Sequence, residues 1–179
     1  MTQNLKDRHP VFTGFRAFFR TKYLFSCIVL IALLFFWYAW QLVTVIIPEG
    51  DKSPIIFATS PGEGWEIRFT HSVEKTPVDE YFTVNGVDDL TMTHTRFESF
   101  GWGFPYSPAD GKIKETDDGR FELIMNRPYK SVKMRIAVQA RPCIIHEGTV
   151  YDLCDMYGQG TLIEIKTMYR YQYWIEHYL

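Results

Sequence analysis

The sequence lacks the excess of basic residues that is typical of nucleic-acid-binding proteins. Its 179 residues include 19 Lys and Arg against 21 Asp and Glu, which gives a net charge of −2. Proteins that neutralise many phosphates usually carry a basic surface, so we expect no nucleic-acid partner. The chain also shows no internal repeat and no low-complexity tract. One ordinary domain remains after subtraction of the N-terminal segments described below.

Cysteine is scarce, with three residues in the chain. Cys27 lies in an apolar segment, whereas Cys143 and Cys154 fall on the two arms of a predicted hairpin. Cross-strand cysteines can form a disulfide if the register places them opposite each other, and an oxidising compartment would preserve the bond. Two interpretations therefore stay open, a Cys143–Cys154 disulfide or two unrelated small side chains.

Charge is absent from one long apolar segment near the N-terminus, residues 23–47. As a helix this segment would be roughly 37 Å long, against a hydrocarbon core of about 30 Å, so it predicts a transmembrane helix. Trp37, Tyr38 and Trp40 lie near its C-terminal end, where amphipathic rings favour the headgroup layer. A cleaved signal peptide is the main alternative, but the apolar run is too long and no small-residue cleavage site follows Ile47.

The charges that flank this segment predict its orientation. Residues 1–22 are rich in Lys and Arg, whereas the residues after Pro48 begin with Glu49, Asp51 and Lys52. The positive-inside rule places the N-terminus in the cytoplasm. We therefore expect a cytoplasmic tail (1–22), a transmembrane helix (23–47) in a bacterial inner membrane, and a periplasmic domain (48–179).

The predicted periplasmic domain has the two-residue periodicity of β-strands. Apolar and polar residues alternate in several short runs separated by turn signals such as Asn85-Gly86 and Glu147-Gly148. The predicted strands cover residues 65–70, 78–84, 90–97, 112–116, 120–125, 132–138, 143–146, 149–154 and 162–168. The pattern predicts an all-β domain, an antiparallel sandwich or barrel. Residues 169–179 fit either a continued strand or a short helix.

Residue types that could support catalysis are present, but their arrangement does not favour an enzyme. His71 and Ser72 are adjacent on a strand, so their side chains point to opposite faces, and no G-x-S-x-G elbow accompanies them. His71, Glu80, His94 and His146 lack the spacing of a recognisable metal site. We therefore expect no catalytic residues, no metal and no cofactor, and we expect His71 and Ser72 to cap a turn.

Glu80 is unusual because it interrupts the apolar face formed by Val78, Phe82 and Val84. It could be an edge-strand carboxylate that reaches water. Alternatively, it could be a partly buried charge that is paired with Arg68 or Arg96.

Aromatic residues are concentrated in one glycine-containing segment, Phe100–Tyr106. Gly101 and Gly103 permit unusual backbone angles there. The aromatic residues are Phe100, Trp102, Phe104 and Tyr106. Clustered exposed rings often mark a contact with a protein or a membrane, whereas the alternative is that they plug the end of the β-core.

Two ordered motifs resemble a bacterial family of domains of unknown function. The first is H-S-V-E-x-x-P-V-x-E, carried by His71, Ser72, Glu74, Pro77, Val78 and Glu80. The second is T-x-F-x-S-x-G-x-G-x-P, carried by Thr95, Phe97, Ser99, Gly101, Gly103 and Pro105. The resemblance covers roughly residues 50–170 and extends to a preceding single anchor.

The resemblance implies a function in transport, because members of that family are associated with TAXI-type TRAP transporters. It implies a noncatalytic accessory subunit of an organic-acid importer, with a large multi-span permease, a periplasmic solute-binding protein and the lipid bilayer as partners. Within that hypothesis, the Phe100–Tyr106 segment contacts a partner, the His71–Glu80 motif braces it, and Gln41 and Thr44 form interhelical hydrogen bonds. The alternative is a stand-alone membrane-anchored module that binds a small ligand or a metal near His71 and Glu80.

Overall fold

The computed structural model describes residues 13–99 and 111–178, with the backbone alone for residues 13–22. Two compact units can be distinguished, residues 1–40 and residues 41–179. The first contains helix α1 (Thr13–Ala39). The predicted contact residues Phe100, Trp102, Phe104 and Tyr106 and the motif residues Gly101, Gly103 and Pro105 lie outside the described residues.

Helix α1 has different ends from the predicted transmembrane helix. It begins at Thr13, inside the predicted tail, and ends at Ala39 rather than Ile47. The six residues from Leu42 to Ile47 belong instead to strand β1 (Leu42–Pro48), where a run of β-branched side chains favours extended backbone. Within the part of the chain that the structure describes, no helix is both long enough and apolar enough to cross a membrane.

The second unit is an antiparallel β-domain with two short helices. After β1 its elements are β2 (Ile55–Ala58), β3 (Gly64–Thr70), β4 (Pro77–Gly86), β5 (Asp89–Phe97), β6 (Lys112–Glu115), β7 (Phe121–Tyr129), β8 (Ser131–Arg135), β9 (Cys143–His146), β10 (Thr149–Asp152), α2 (Leu153–Tyr157), β11 (Leu162–Tyr169) and α3 (Arg170–Tyr178). Every strand that was predicted from alternation is present, and the ambiguous C-terminal run is helix α3.

The strands form two sheets that share one apolar core. The order in the smaller sheet is β2-β1-β11-β8, and in the larger sheet it is β10-β9-β3-β4-β5-β7-β6. Ile46 and Ile165 from the smaller sheet belong to the same buried cluster as Trp65, Phe82 and Leu90 from the larger one. The all-β prediction is confirmed, and the two packed sheets correspond to its sandwich alternative.

One predicted turn lies two residues further along the chain than expected. Asn85 and Gly86 still belong to β4, and the turn to β5 is formed by Val87 and Asp88. Asp88 takes the positive φ of 48° that the turn requires. Asn85 lies at a register irregularity, where its side-chain amide donates hydrogen bonds to Asp89 and Thr91. The polar side chain of Asn85 therefore holds a bulge rather than a turn.

Candidate functional site

A row of alternating charges crosses one face of the larger sheet. Strand pairing places Arg68 opposite Asp79, Asp79 opposite Arg96, Arg96 opposite Glu122, and Glu122 opposite Lys114. Since paired residues of neighbouring strands share a face, these five side chains all project to the same side. We call these five residues the charge row.

The two carboxylates of the charge row are buried although their partners reach water. Asp79 is 2% exposed and accepts hydrogen bonds from Arg68 Nε at 2.6 Å and Arg120 Nη1 at 3.0 Å. Glu122 is 4% exposed and contacts Arg96 Nε at 2.9 Å. Each acid thus has a charged donor for its oxygens, which offsets the cost of taking a carboxylate out of water.

The electrostatic balance at Glu122 favours the ionised form. Burial by itself raises the pKa of this carboxyl, but the hydrogen bonds from Lys114 and Arg96 outweigh burial and the net pKa is lowered. Lys114 Nζ lies 2.5 Å from Glu122 Oε2. The lowered pKa keeps the Glu122 carboxyl ionised at neutral pH, as its pairing with two cations requires.

Aromatic rings lie beside the charge row on the same face. Tyr81 and His94 are stacked with ring centroids 4.1 Å apart, and the Arg96 guanidinium lies 5.5 Å from the Tyr81 ring centroid. Burial lowers the pKa of His94 in spite of Glu122, whose carboxylate lies 3.8 Å from His94 Nε2. The open pocket beside them, of about 360 Å³, is lined by Gly64, Trp65, Glu66, Tyr81, Phe82, Thr83, Thr93, His94 and Ile145.

The opposite, inner face of the same sheet carries Glu80, which is partly buried as one alternative predicted, but its predicted edge position and its predicted pairing with Arg68 or Arg96 are wrong. Strand β4 lies inside the sheet, between β3 and β5, so Glu80 is not on an edge. Arg68 and Arg96 project to the other face, where Asp79 and Glu122 accept their hydrogen bonds. Among the described residues, Glu80 has no hydrogen-bond or ion-pair partner. Burial raises the pKa of its carboxyl.

Glu80 lines a cavity of about 380 Å³ at the end of the inner face. A small buried cluster of Val78, Phe97 and Leu123 lies at this end, separate from the large core that the two sheets share. The residues around the cavity are Phe69, His71, Val78, Glu80, Met92, Thr95, Leu123, Met125, Arg127 and Tyr129. Most of these side chains are apolar, and Glu80 is the one acid among them.

His71 caps the turn between β3 and β4, as the sequence predicted. Its Nδ1 accepts a hydrogen bond from the backbone N–H of Glu74 at 3.2 Å, and its carbonyl accepts one from Lys75 at 3.0 Å. Lys75 has a positive φ of 58°, which closes the turn tightly. Ser72 is exposed at the same turn. The motif thus brings His71 and Glu80 to the wall of one cavity, at the sheet end where they were expected.

Gln41 and Thr44 do not belong to a helix, so their predicted role in interhelical hydrogen bonds is wrong. Thr44 is fully buried in β1, where its hydroxyl lies 3.3 Å from that of Thr59. The Gln41 side-chain oxygen accepts a hydrogen bond from Arg170 at 3.3 Å. Both polar groups bond within the β-domain because β1 pairs with β11 along its whole length.

Of the two interpretations left open for Cys143 and Cys154, the structure has two free thiols rather than a disulfide. Cys143 opens β9, but its register partner on β10 is Asp152. Cys154 lies two residues further on, in α2, whose first turn is capped by the Asp152 carboxylate. The hairpin arm ends before it reaches Cys154, so the two cysteines are not cross-strand neighbours.

His146, another residue that was considered as a metal ligand, instead contacts backbone carbonyl groups. The ring nitrogens of His146 lie 3.2 Å from the carbonyl oxygens of Gly64 and Ala58, and its ring stacks on Phe57. Since Ala58 and Gly64 belong to different sheets, His146 links the two layers. Across the described ranges, no group of three potential metal ligands is gathered.

The two packed sheets define an antiparallel β-sandwich domain. The H-S-V-E-x-x-P-V-x-E motif lies on β4 and on the turn that precedes it. Residues 65–153 match the family model for the domain of unknown function (DUF1850), so this part of the chain is similar to that family. The match extends from β3 to the start of α2 and thus includes the charge row and Glu80. Neither the curated proteins nor the solved structures contain a match to the chain.

Sequence reasoning missed the charge row. Arg68, Asp79, Arg96 and Glu122 each occupy the polar phase of an alternating strand, where solvation is the ordinary expectation. Counting outward from the turn between β3 and β4 gives the Arg68–Asp79 pair, because Thr70 pairs with Pro77. Counting residues along the strands does not predict the burial of Asp79 and Glu122, because that burial depends on the long side chains that surround them.

Proposed function

We propose that the chain is a noncatalytic accessory subunit of a TAXI-type TRAP transporter that imports organic acids. In this proposal α1 anchors the chain in the bacterial inner membrane, with the N-terminus in the cytoplasm and the β-domain in the periplasm. The large permease carries out transport, because a single helix cannot form an alternating-access site between repeats. The β-domain supports the permease or the docking of the solute-binding protein.

The observation that supports this proposal best is the apolar surface of α1. Between Tyr23 and Tyr38 the large apolar side chains are exposed in almost every position, including Phe25, Ile31 and Trp37 at 65% or more. A helix that is apolar on all sides is stable only when lipid or other helices cover it. The uncharged part of α1, residues 23–39, is about 25 Å long, somewhat shorter than a hydrocarbon core of about 30 Å.

The family match supports the same assignment indirectly. Residues 65–153 match a family of domains of unknown function, which is consistent with the resemblance that the two motifs carry. The association of that family with TAXI-type TRAP permeases remains the basis for choosing this partner. Because the exposed helix needs a neighbour and the resemblance implies a transporter subunit, we choose a multi-span permease as the partner that satisfies both.

Purification of the tagged full chain in mild detergent tests the proposal. We expect a large multi-span permease to co-purify in a fixed ratio and a deletion strain to lose most of its organic-acid uptake. Recovery of the chain alone, together with unchanged uptake in the deletion strain, would contradict the proposal.

A substitution tests whether the Phe100–Tyr106 segment contributes to this contact. Trp102→Ala should reduce recovery of the permease while the β-domain keeps its near-UV circular dichroism. Val150→Ala is a matched control, because Val150 is an exposed apolar residue on β10, an edge strand of the larger sheet. Equal recovery with Trp102→Ala and Val150→Ala would remove the segment from the interface.

A further inference from the structure

The cavity beside Glu80 has the composition of a small-ligand site. Its volume of about 380 Å³ falls at the lower end of the range for ligand pockets, roughly 300–1,000 Å³. Such pockets combine apolar walls with a few polar groups that orient the ligand. Here Phe69, Met92 and Met125 supply apolar walls, and Glu80 supplies a carboxylate that has no hydrogen-bond or ion-pair partner among the described residues.

The carboxylate of Glu80, which has no cationic partner among the described residues, is the feature that favours a bound ligand. Other acids of this sheet with little exposure, Asp79 and Glu122, have cationic partners at 3.0 Å or less. Glu80 projects into the cavity from an interior strand and has no such partner among the described residues. A partly buried carboxylate without a donor is costly, and the cost is removed when a ligand supplies the missing hydrogen bonds and charge.

The other groups around the cavity favour a cationic ligand with an apolar body. Two aromatic residues, Phe69 and Tyr129, and the polarisable thioethers of Met92 and Met125 line the cavity, and such groups favour organic cations. His71 already uses its Nδ1 to cap the adjoining turn. Arg127 is exposed, so its charge lies where water screens it.

We propose that this cavity binds a small organic cation, an amine with a short apolar body, whose ammonium group pairs with the Glu80 carboxylate. The ammonium donates to Glu80, and the apolar body lies against Phe69 and the two methionines. This proposal stands independently of the partner proposed above, because it concerns the β-domain alone and requires no permease.

Titration calorimetry on the full chain in nonionic detergent tests the proposal with three probes of similar shape. These are 2-phenylethylammonium, the neutral 2-phenylethanol and the anionic 3-phenylpropionate. We expect the ammonium to bind at least about tenfold more tightly than the other two, since only the ammonium supplies a charge-assisted hydrogen bond to Glu80. Equal binding of the anion, or no binding of the ammonium, would overturn the proposal.

Variants assign the binding to the cavity. Glu80→Gln should weaken binding of the ammonium by about tenfold or more, because it removes the counter-charge. Glu115→Gln removes an exposed carboxylate from strand β6 of the same sheet and should leave binding unchanged. If Glu80→Gln binds as tightly as the unmodified chain, Glu80 is not the counter-charge and the proposal is wrong.

A second variant blocks the cavity without changing its charge. Met125→Trp places a larger side chain at a partly buried position of the wall and should abolish binding while near-UV circular dichroism shows the domain still folded. Retained binding in folded Met125→Trp would place the ammonium elsewhere on the domain and overturn the assignment.

Discussion

Asp79 and Glu80 are neighbours on one strand, yet their carboxylates lie in opposite environments on the two faces of the sheet. Asp79 projects to the outer face, is 2% exposed and accepts hydrogen bonds from two arginines. Glu80 projects to the inner face, lines a cavity and has no partner among the described residues. The side-chain alternation of a β-strand is sufficient to separate a satisfied charge from an unsatisfied one within a single residue step.

The comparison shows that one face of a sheet can contribute to stability while the other face carries a group suited to binding. The outer face gives each buried acid a cation, so its charges hold five strands together. The inner face leaves one acid unpaired, which costs stability unless something binds there. Unpaired polar groups of this kind are typical of functional sites rather than of structural cores.

The largest effect should come from removing the more deeply buried of the two acids in the charge row, Asp79. Asp79→Ala takes one carboxylate away from both Arg68 and Arg120, and we expect a loss of about 2–3 kcal/mol in the free energy of unfolding. Urea unfolding measures this loss. Asp118→Ala is the control, because it removes an exposed partner of the same Arg120 and should change stability little. Equal effects of the two substitutions would mean that burial of Asp79 is unimportant.

Glu122→Gln should have the next largest effect and should depend on pH. The lowered pKa of Glu122 means that its ionised form stabilises the folded state above the ordinary pKa of 4.5 and that this contribution disappears as the pH falls through the lowered value. We expect a loss of about 1–2 kcal/mol at pH 7, because the partners of Glu122 are partly exposed.

Chemical unfolding of the Glu122→Gln chain and the unmodified chain at several pH values tests this. The two curves of stability against pH should converge on acidification. A constant difference between pH 7 and pH 3 would show that Glu122 acts through packing rather than charge.

Glu80→Gln should act in the opposite direction. Burial raises the pKa of Glu80, so the unfolded chain ionises first, and stability falls as the pH rises from about 4.5 through the raised folded value. Because glutamine is neutral, the substitution should stabilise the ligand-free domain at pH 7 by about 1 kcal/mol, and the gain should vanish in acid. Thermal unfolding at pH 4 and pH 7 measures both values. Destabilisation at pH 7 would reveal a partner for Glu80.

The smallest effect should come from Thr95→Val on the inner face. Thr95 is the register partner of Glu80, and its hydroxyl contacts Met92 Sδ at 3.8 Å, a weak acceptor. We expect a change below about 1 kcal/mol in the free energy of unfolding, because little hydrogen bonding is lost. Urea unfolding checks this, and a larger loss would show that Thr95 assists the Glu80 carboxyl.

The elements that sequence analysis predicted correctly are those in which local pattern and tertiary structure agree. Strands β3, β4 and β5 alternate clearly, and their residues face the core with the expected phase. Strand β1 was missed because Leu42–Ile47 continues the apolar composition of the preceding helix. Its β-branched residues were a signal for a strand, but the decisive pairing with β11 joins residues more than a hundred positions apart.

The candidate site was also predicted only in part. The motif brought His71 and Glu80 to notice, and the turn between β3 and β4 placed them at one sheet end. The sequence did not reveal that Glu80 lacks a partner among the described residues, because Arg68 and Arg96 lie near it in the sheet but project to the other face. Only the register of the strands, with its irregularity between Met92 and His94, shows which carboxylate each arginine reaches.

The pairing of β1 with β11 also sets the order in which the domain can be completed during synthesis. Strand β1 is the first to leave the ribosome and lies between β2 and β11 in its sheet, whereas β11 is the last strand made. Until residues 162–169 emerge, β1 has an open edge and β8 has no neighbour in that sheet. The smaller sheet therefore stays incomplete until β11 is synthesised, so its closure is a late step that depends on long-range contacts. Any product that ends before β11 exposes an unpaired strand edge, which favours aggregation.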